Sequence, residues 1–360
     1  MYSRPLNKIP EKIVHNGKIH FGSYKGVTDK LDIRGVRAPF AGVPIGSVFS
    51  NFRIKSKIYY SFCYEKFAGI IEFFDDKAFG LAEVTLWNRE TNQKYSYHTF
   101  MGPRKRFVPT DTKEAACTSF SKSRYIKISW SRKHKVVKLS FVVRGDKFRP
   151  AFKGKFHSPF DIEDSKGGET DGVLFVNPAP TTQRCSATWI LPLEIQGGVG
   201  SARHRKQITC LPEAKGLGLL LINRTYLKVH STNEIMFGLF QNEEKRVSFT
   251  FSNTNQDSID DDTYNDNMLS VNGQITAMPP VKITHPFGIN GKWVIQDTEN
   301  MVDLCFFPVT GTSRTVNIIV MRNMEKTIFG NFEGILMSKD GEKITLKNCP
   351  GIVKKSMLRL

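Results

Sequence analysis

Six polar or aromatic side chains lie in or beside apolar, strand-like segments, where they could line a binding site. Arg224 directly follows the apolar run 219–222. Burying an unpaired guanidinium is costly, so an inward-pointing arginine needs a partner. That partner is either a bound molecule or, as we favour, a structural carboxylate such as Asp303 or Glu299. The candidate ligand-binding residues are Arg184, Trp189, Arg224, Tyr226, Asn267 and His285.

Catalytic and metal signatures give no further candidates. The eight histidines form no HxH, HxxxH or HExxH pattern, and there is no GxSxG motif. His285, at the end of an apolar strand, is the histidine most suited to acid–base chemistry, although a structural role is the simpler reading. We therefore predict no metal and no nucleotide cofactor, and the catalytic residues stay unknown.

The net charge of +18 is concentrated in one part of the chain. Residues 1–160 contain 31 lysines and arginines against 12 acids, a net charge of +19, whereas residues 161–360 contain 21 against 22. Such asymmetry suggests that one part faces an anionic partner, such as nucleic acid, an acidic protein surface or a lipid headgroup layer. Solvated turns are the plainer explanation of the two densest basic runs. The candidate anion-docking residues are Arg104, Lys105, Arg106, Arg132, Lys133 and Lys135.

The strand pattern sets the fold class. Apolar and polar residues alternate in 126–130, 137–141 and 247–252, and 27 Phe and 10 Tyr suit half-buried strands. Asn-Gly or Asp-Gly pairs at 16/17, 171/172, 272/273, 290/291 and 340/341 favour tight turns between strands. Many short strands joined by turns predict an all-β sandwich or barrel with few short helices.

The organisation of the chain can also be predicted. The Gly-rich, acidic stretch 158–171 marks a boundary between domains 1–160 and 161–360, and the acidic stretch 257–266 reads as a solvated loop. Strand-like runs at 302–307 and 316–321 are separated by a predicted turn. The sequence shows no secretory signal or apolar membrane span, and its cysteines form no CxxC pair, so we expect a cytoplasmic protein with reduced thiols.

Several segments, in order, resemble the uncharacterised, mainly bacterial family known as domain of unknown function 2804. They are APTTQRCSATW at 179–189, NRTY at 223–226 and WVIQDTENMVDL at 293–304. The resemblance extends from about residue 16 to the C-terminus and implies a pair of lipocalin-like antiparallel β-barrels. It aligns the family's Trp-Thr-Arg-Gly-like motif with 223–226 and its Glu-Asn-x-x-x-x-Asp-Gly motif with 266–273. Arg224 and Asn267 are kept, but the tryptophan and the terminal glycine of the Trp-Thr-Arg-Gly-like motif are absent.

Three functions remain open on these grounds. The leading one is binding of an apolar small molecule or lipid without a metal or nucleotide cofactor, because small barrels enclose such cavities. The second is a hydratase, isomerase or cyclase acting on that ligand, with Arg224, Asn267 and His285 in polar roles. The third is a non-catalytic interaction protein whose basic half docks on an acidic protein or nucleic acid.

Overall fold

The structure is a computed structural model that describes residues 2–40, 46–103, 107–159, 172–180, 184–202, 213–318 and 321–359. Within these residues it contains 24 strands and one short helix. In chain order they are β1 (Asn7–Lys8), β2 (Val14–His15), β3 (Lys18–Ile19), β4 (Gly22–Lys25), α1 (Ser47–Phe52), β5 (Ile54–Tyr64), β6 (Phe67–Asp75), β7 (Gly80–Asn88), β8 (Gln93–Met101), β9 (Glu114–Ser121), β10 (Arg124–Ser131), β11 (Val136–Val143), β12 (Ala151–Pro159), β13 (Val173–Pro178), β14 (Cys185–Ala202), β15 (Ala214–Tyr226), β16 (His230–Gln241), β17 (Arg246–Thr254), β18 (Met268–Val271), β19 (Gln274–Ala277), β20 (Lys282–Thr284), β21 (Trp293–Gln296), β22 (Val302–Ile318), β23 (Met321–Met337) and β24 (Lys343–Arg359).

The predicted alternation and turns account for these strands. In β10, Ile126, Ile128 and Trp130 are buried, while Lys127 and Ser129 between them point to the other face. The two-residue turn Asn272–Gly273 joins β18 to β19 with φ angles of 49° and 86°. Both residues therefore adopt the left-handed conformation of a type I′ hairpin, which Asn-Gly readily takes.

The first sheet is a nearly closed antiparallel barrel. Its main path runs β8-β7-β6-β5-β15-β14-β12-β11-β10-β9, and the end strands β8 and β9 approach each other. The 18-residue strand β14 is long enough to pair with β13 along its first half and with β12 along its second. Through these pairings β13–β15 belong to the first barrel.

The second sheet is a half-closed barrel with the order β19-β18-β17-β16-β24-β23-β22-β21-β20. Its strands β22, β23 and β24 each have 17 residues. Register shifts between Pro308 and Thr310, and between Phe332 and Gly334, interrupt the ladders of these strands. Such irregularities let long strands curve around a core.

The three largest apolar clusters of the described residues fill the two barrels and the space between them. One fills the first barrel around Trp130 and Trp189, and a second fills the other barrel around Trp293. The third lies between the two sheets, where Trp87 of β7 stacks on Phe329 of β23 with ring centroids 5.8 Å apart. The outer face of the first barrel is therefore partly an internal surface of the molecule.

The structure confirms the predicted all-β fold with two lipocalin-like antiparallel barrels. The sheets, however, do not divide at residue 160. Because β14 pairs with β12 and β15 pairs with β5, the chain passes to the second sheet between Tyr226 and His230. The predicted turn near residue 310 is also wrong, since β22 passes through that point as one strand with a register shift.

Candidate ligand-binding cleft

A cleft lies between the two barrels, beside the apolar cluster that joins them. The space between its lining side chains, including the part open to solvent, is about 1000 Å³. The first barrel contributes side chains from β5, β6 and β13–β15, and the second from β16, β17, β23 and β24. The lining amides are Asn177, Asn223, Asn233, Gln256 and Asn323, and the apolar lining residues are Phe74, Leu221, Leu227, Ile235 and Leu358.

Strand register places a row of polar side chains along one wall of the cleft. Thr188 on β14 pairs with Asn223 on β15, so their side chains share the outer face of the first barrel. Thr225 Oγ1 donates to Asn223 Oδ1 at 2.7 Å, and Asn223 Nδ2 donates to Thr188 Oγ1 at 2.7 Å. Thr188 Oγ1 in turn donates to Asp266 Oδ2 at 2.9 Å. This continuous chain of hydrogen bonds ends on a carboxyl group.

Two carboxyl groups in the cleft have pKa values near neutrality. Burial raises the pKa of Asp266 to about 6, although hydrogen bonds from Thr188 and Asn177 oppose the shift. Burial also raises the pKa of Asp257 to about 7, and the negative charge of Asp266 adds to that effect. Each group can therefore hold or release a proton near neutral pH, as acid–base catalysis requires.

The inner end of the cleft borders a buried cluster of charges, which we call the ion cluster. It consists of Lys57, Glu72, Glu83, Arg314, Glu325 and Lys354. Lys354 Nζ lies 2.7 Å from Glu72 Oε2 and 3.2 Å from Glu325 Oε1. Arg314 pairs with Glu83 at 3.1 Å and also contacts Glu325.

Charges in the ion cluster balance, with three carboxylates and three cations. Burial alone would lower the pKa of Lys354, but Glu325 and Glu72 outweigh it and raise that pKa. Burial would likewise raise the pKa of Glu325, but Lys354, Lys57 and Arg314 lower it. The three carboxylates lie close enough together to suit a metal ion. Because ammonium and guanidinium groups already occupy their oxygens, the cluster fits a structural ion network better than a metal site.

The structure places the two candidate arginines away from the cleft. Arg224 is buried and donates to Ser56 Oγ, Val108 O and Pro109 O at 2.6–2.9 Å. Burial lowers its pKa to about 10. Arg184 lies over the ring of Phe40, 4.6 Å from its centroid. The predicted pairing with Asp303 or Glu299 is wrong for Arg224, because its Nη1 and Nη2 donate to a hydroxyl and two backbone carbonyls instead.

The other candidates also pack within their own barrels. Trp189 and Tyr226 are buried in the first barrel, where the Tyr226 hydroxyl donates to Ile33 O at 2.9 Å. Asn267 Nδ2 donates to Pro279 O at 2.8 Å, and its Oδ1 accepts from Ser252 N. His285 packs edge-on against Trp293, and its Nε2 lies 3.5 Å from Glu234; burial lowers its pKa. Since none of the six lines the cleft, their ligand-binding role stays a prediction.

The cleft residues that sequence reasoning missed are direct neighbours of residues that it chose. Thr188 precedes Trp189, Asn223 precedes Arg224, and Asp266 precedes Asn267. The acidic stretch 257–266 was predicted to be solvated, which holds for Asp260–Asp262. The two end residues of this stretch, Asp257 and Asp266, instead line the cleft. Alternation of faces along β14 and β15 is the signal that could have found Thr188 and Asn223, whereas Asp257 and Asp266 lie in the loop between β17 and β18.

The structure describes one of the two predicted basic runs. Arg104, Lys105 and Arg106 lie outside the described residues. Arg132, Lys133 and Lys135 lie on the turn between β10 and β11, where Arg132 Nη1 is 3.8 Å from Asp29 Oδ1. Their anion-docking role stays a prediction. Within the part of the chain that the structure describes, no helix has the length and apolar character to span a membrane.

Comparison with known proteins identifies the family. The family model described as "Domain of unknown function (DUF2804)" matches residues 8–360, and the chain belongs to this family. Curated protein sequences give no match.

Several solved structures are similar. Kievitone hydratase from Nectria haematococca has 10% identity and a TM-score of 0.49, over 85% of this chain and 88% of that one. A putative AttH from Nitrosomonas europaea has 9% identity and a TM-score of 0.48, over 85% and 92%. CghA with Sch210972 has 9% identity and a TM-score of 0.43, over 85% and 88%.

Proposed function

We propose that this member of the DUF2804 family binds an organic small molecule in the cleft between its two barrels. The observation that carries the proposal is the composition of the cleft, in which amides and hydroxyls from both sheets face a shared space with an apolar side. Binding sites commonly combine apolar walls with a few polar groups that fix orientation. A ligand with both polar and apolar parts fits this lining better than a wholly apolar lipid. We retain the prediction that binding needs no metal or nucleotide cofactor.

Filling the cleft tests this proposal. Asn233 on β16 lines the cleft, so Asn233→Trp should place an indole in the ligand space. Gln241→Trp, at the exposed end of the same strand, adds the same side chain outside the cleft. We would screen a panel of hydroxylated polycyclic molecules and fatty acids by ligand-observed NMR, and examine the purified protein by native mass spectrometry.

The expected result is at least one ligand that binds wild type and Gln241→Trp equally and loses at least tenfold in affinity with Asn233→Trp. Circular dichroism and thermal unfolding would confirm that both variants fold. A ligand that binds Asn233→Trp as tightly as wild type would place the site elsewhere. Failure of every panel member and of native mass spectrometry would contradict small-molecule binding for the classes tested.

Asp257 and Asp266 favour a second function, acid–base catalysis on the bound molecule. A carboxyl group with a pKa near the working pH can donate a proton to a carbon or oxygen, and a second carboxylate can accept one. Hydration, dehydration and isomerisation need these transfers and no redox cofactor. This assignment replaces Arg224, Asn267 and His285 with two carboxyl groups that line the cleft.

Catalysis and binding can be separated by Asp266→Asn and Asp257→Asn. If the site is catalytic, each variant should bind the ligand within about threefold of wild type but lose at least a hundredfold in kcat. The pH profile of wild-type kcat should change slope near pH 6 and 7, the pKa values of the two groups. Unchanged kcat in both variants would leave binding as the function of the cleft.

A further inference from the structure

A second part of the first barrel's outer face is open to solvent and strongly basic. Register aligns Ser129, Lys138, His157, Gln196 and Lys215 across β10, β11, β12, β14 and β15. The adjacent row aligns Lys127, Ser140 and Lys155, and Lys153 lies two residues before Lys155. We call this surface the lysine face; it comprises Lys127, Lys138, Lys153, Lys155, His157 and Lys215.

The charge of the lysine face is not balanced by neighbouring acids. Lys138, Lys153, Lys155 and Lys215 are exposed, and Lys127 is partly exposed. Among the described residues, none of these five lysines has an ion-pair partner. These residues, apart from Lys153, line an open depression. Among the described residues that line it, Glu213 is the single carboxylate. Uncompensated like charges on one sheet face repel each other, so this arrangement favours an anionic partner.

The spacing of the lysines suits a partner with repeated charges. Neighbouring strands are about 4.8 Å apart, and alternate residues of one strand are about 6.8 Å apart. Lys127 and Lys155, separated by Ser140, are therefore roughly 10 Å apart, with Lys138 between them in the next row. A single small anion could contact only part of this array, whereas a polyanion chain could follow it.

Exposed aromatic side chains border the lysines. Phe120 on β9 is directly opposite Tyr125 on β10, and Tyr125 is opposite Val142 on β11. Phe120 is 69% exposed and Val142 is 40% exposed, and Tyr125 between them is partly exposed, whereas Ser119, Ile126 and Phe141 on the opposite face are buried. Exposed aromatic rings beside a basic sheet face are the combination that binds unpaired bases by stacking.

We propose that the lysine face binds single-stranded nucleic acid, with phosphates along the lysine rows and a base against Phe120 and Tyr125. The shape of the surface supports this partner: it is a depression in a sheet, with no described helix projecting from it to enter a duplex groove. A depression also fits a chain better than a flat bilayer. The turn bearing Arg132, Lys133 and Lys135 joins β10 to β11 and lies beside this face. The proposal does not depend on the cleft.

Charge-matched variants of the full-length protein test the proposal. The face variant is Lys127→Gln, Lys138→Gln and Lys155→Gln combined. The control variant is Lys282→Gln, Lys343→Gln and Lys347→Gln combined, three exposed lysines of the second barrel. Both reduce the net charge equally. Fluorescence anisotropy with a labelled oligo-dT and oligo-U would give affinities from about 50 to about 200 mM salt, a range over which phosphate contacts weaken steeply.

We expect the face variant to lose at least tenfold in affinity, and the salt slope to fall by about 2 because each phosphate contact contributes about 0.7. The control variant should keep the wild-type affinity within twofold. Phe120→Ala, an exposed substitution, should weaken oligonucleotide binding about tenfold without changing binding of inorganic polyphosphate.

Several outcomes would overturn the proposal. An equal loss in the control variant would show that net charge alone drives binding. An unchanged affinity in Phe120→Ala, with polyphosphate competing as well as oligonucleotide, would show a general anion site without base stacking. Preferred binding to a labelled duplex or to phosphatidylserine vesicles would assign the face to another partner.

Discussion

Two parts of the first barrel's outer face carry lysines in the same alternating pattern. In one part buried carboxylates neutralise the lysines, and in the other the lysines are open to solvent. In β5, Lys57 lies between Ser56 and Ile58, and it reaches the ion cluster beneath the second barrel. In β10, Lys127 lies between Ile126 and Ile128, and its side chain is open to solvent. The difference is whether the second sheet covers the strand, and this difference separates a neutral internal interface from a cationic external surface.

This contrast changes the meaning of the charge asymmetry. Lys55 contributes to the excess of the first 160 residues, yet it is buried and lies 2.8 Å from Asp76. Lys57 is partnered by glutamates from both barrels. Such lysines hold the molecule together and add nothing to an external anion site. The acids that pair with these lysines, Asp76 and Glu72, belong to the same 160 residues, so this pairing leaves the net excess in place while withdrawing both lysines from any external partner.

The largest expected effect comes from breaking the ion cluster. Lys354→Met would leave Glu72 without its nearest cation, and Glu325 without one of its cations, in a buried site. Removing one partner of a buried ion pair typically costs about 3–5 kcal/mol of unfolding free energy. Urea unfolding followed by circular dichroism would measure the loss.

Two further variants sharpen that test. Lys347→Met, on the exposed side of the same strand, should change the unfolding free energy by less than about 0.5 kcal/mol. Adding Glu72→Gln to Lys354→Met should recover part of the loss, because two carboxylates and two cations would then balance. A loss below about 1 kcal/mol in Lys354→Met, or no recovery in the double variant, would contradict a charge-balanced cluster.

An intermediate effect is expected from Asp266→Asn, and it depends on pH. The pKa of Asp266 is about 6 in the folded protein, above the aspartate value of about 3.9 in an unfolded chain. Between these values the folded state binds more protons, so Asp266 makes the protein less stable as pH rises from about 4 to above 6.

Comparison with the asparagine variant isolates that contribution. Asp266→Asn should match wild type near pH 4 and exceed it by about 1–3 kcal/mol at pH 8. Asp257→Asn should behave similarly, with its window extending to about pH 7. Asp260→Asn, in the exposed part of the same loop, serves as the control. Parallel pH curves for wild type and Asp266→Asn would mean that Asp266 is ionised in the folded protein across this range.

The sequence predicts the strands of this protein well because alternation and Asn-Gly turns are local signals. It fails at the cleft for a related reason. Trp189, Arg224 and Asn267 attract notice as distinctive residues, but each faces away from the cleft. A shift of one position along a strand reverses the face, so Thr188 and Asn223 line the cleft, whereas Asp266 enters it from the loop before β18.

Long-range pairing explains the other misplaced features. The boundary predicted at residue 160 follows the change in charge, whereas the barrel continues until β15 pairs with β5. The ion cluster joins Glu72 to Lys354, which are 282 positions apart, and no local pattern links them. Asp257 and Asp266 likewise enter the cleft because a loop folds back between the sheets. These contacts depend on how the two barrels pack, which the sequence does not encode locally.

The smallest expected effect on stability comes from the lysine face. Combining Lys127→Gln, Lys138→Gln and Lys155→Gln removes three exposed charges that have no described ion-pair partner, so it breaks no favourable contact. The unfolding free energy should stay within about 0.5 kcal/mol of wild type at about 0.15 M salt. At lower salt the variant should become slightly more stable than wild type, because the removed lysines repel one another. Urea unfolding across a salt series would measure the difference in unfolding free energy at about 0.15 M salt and at lower salt. A loss above about 2 kcal/mol would show that these lysines, like Lys354, stabilise the fold, and the contrast between the two regions would then fail.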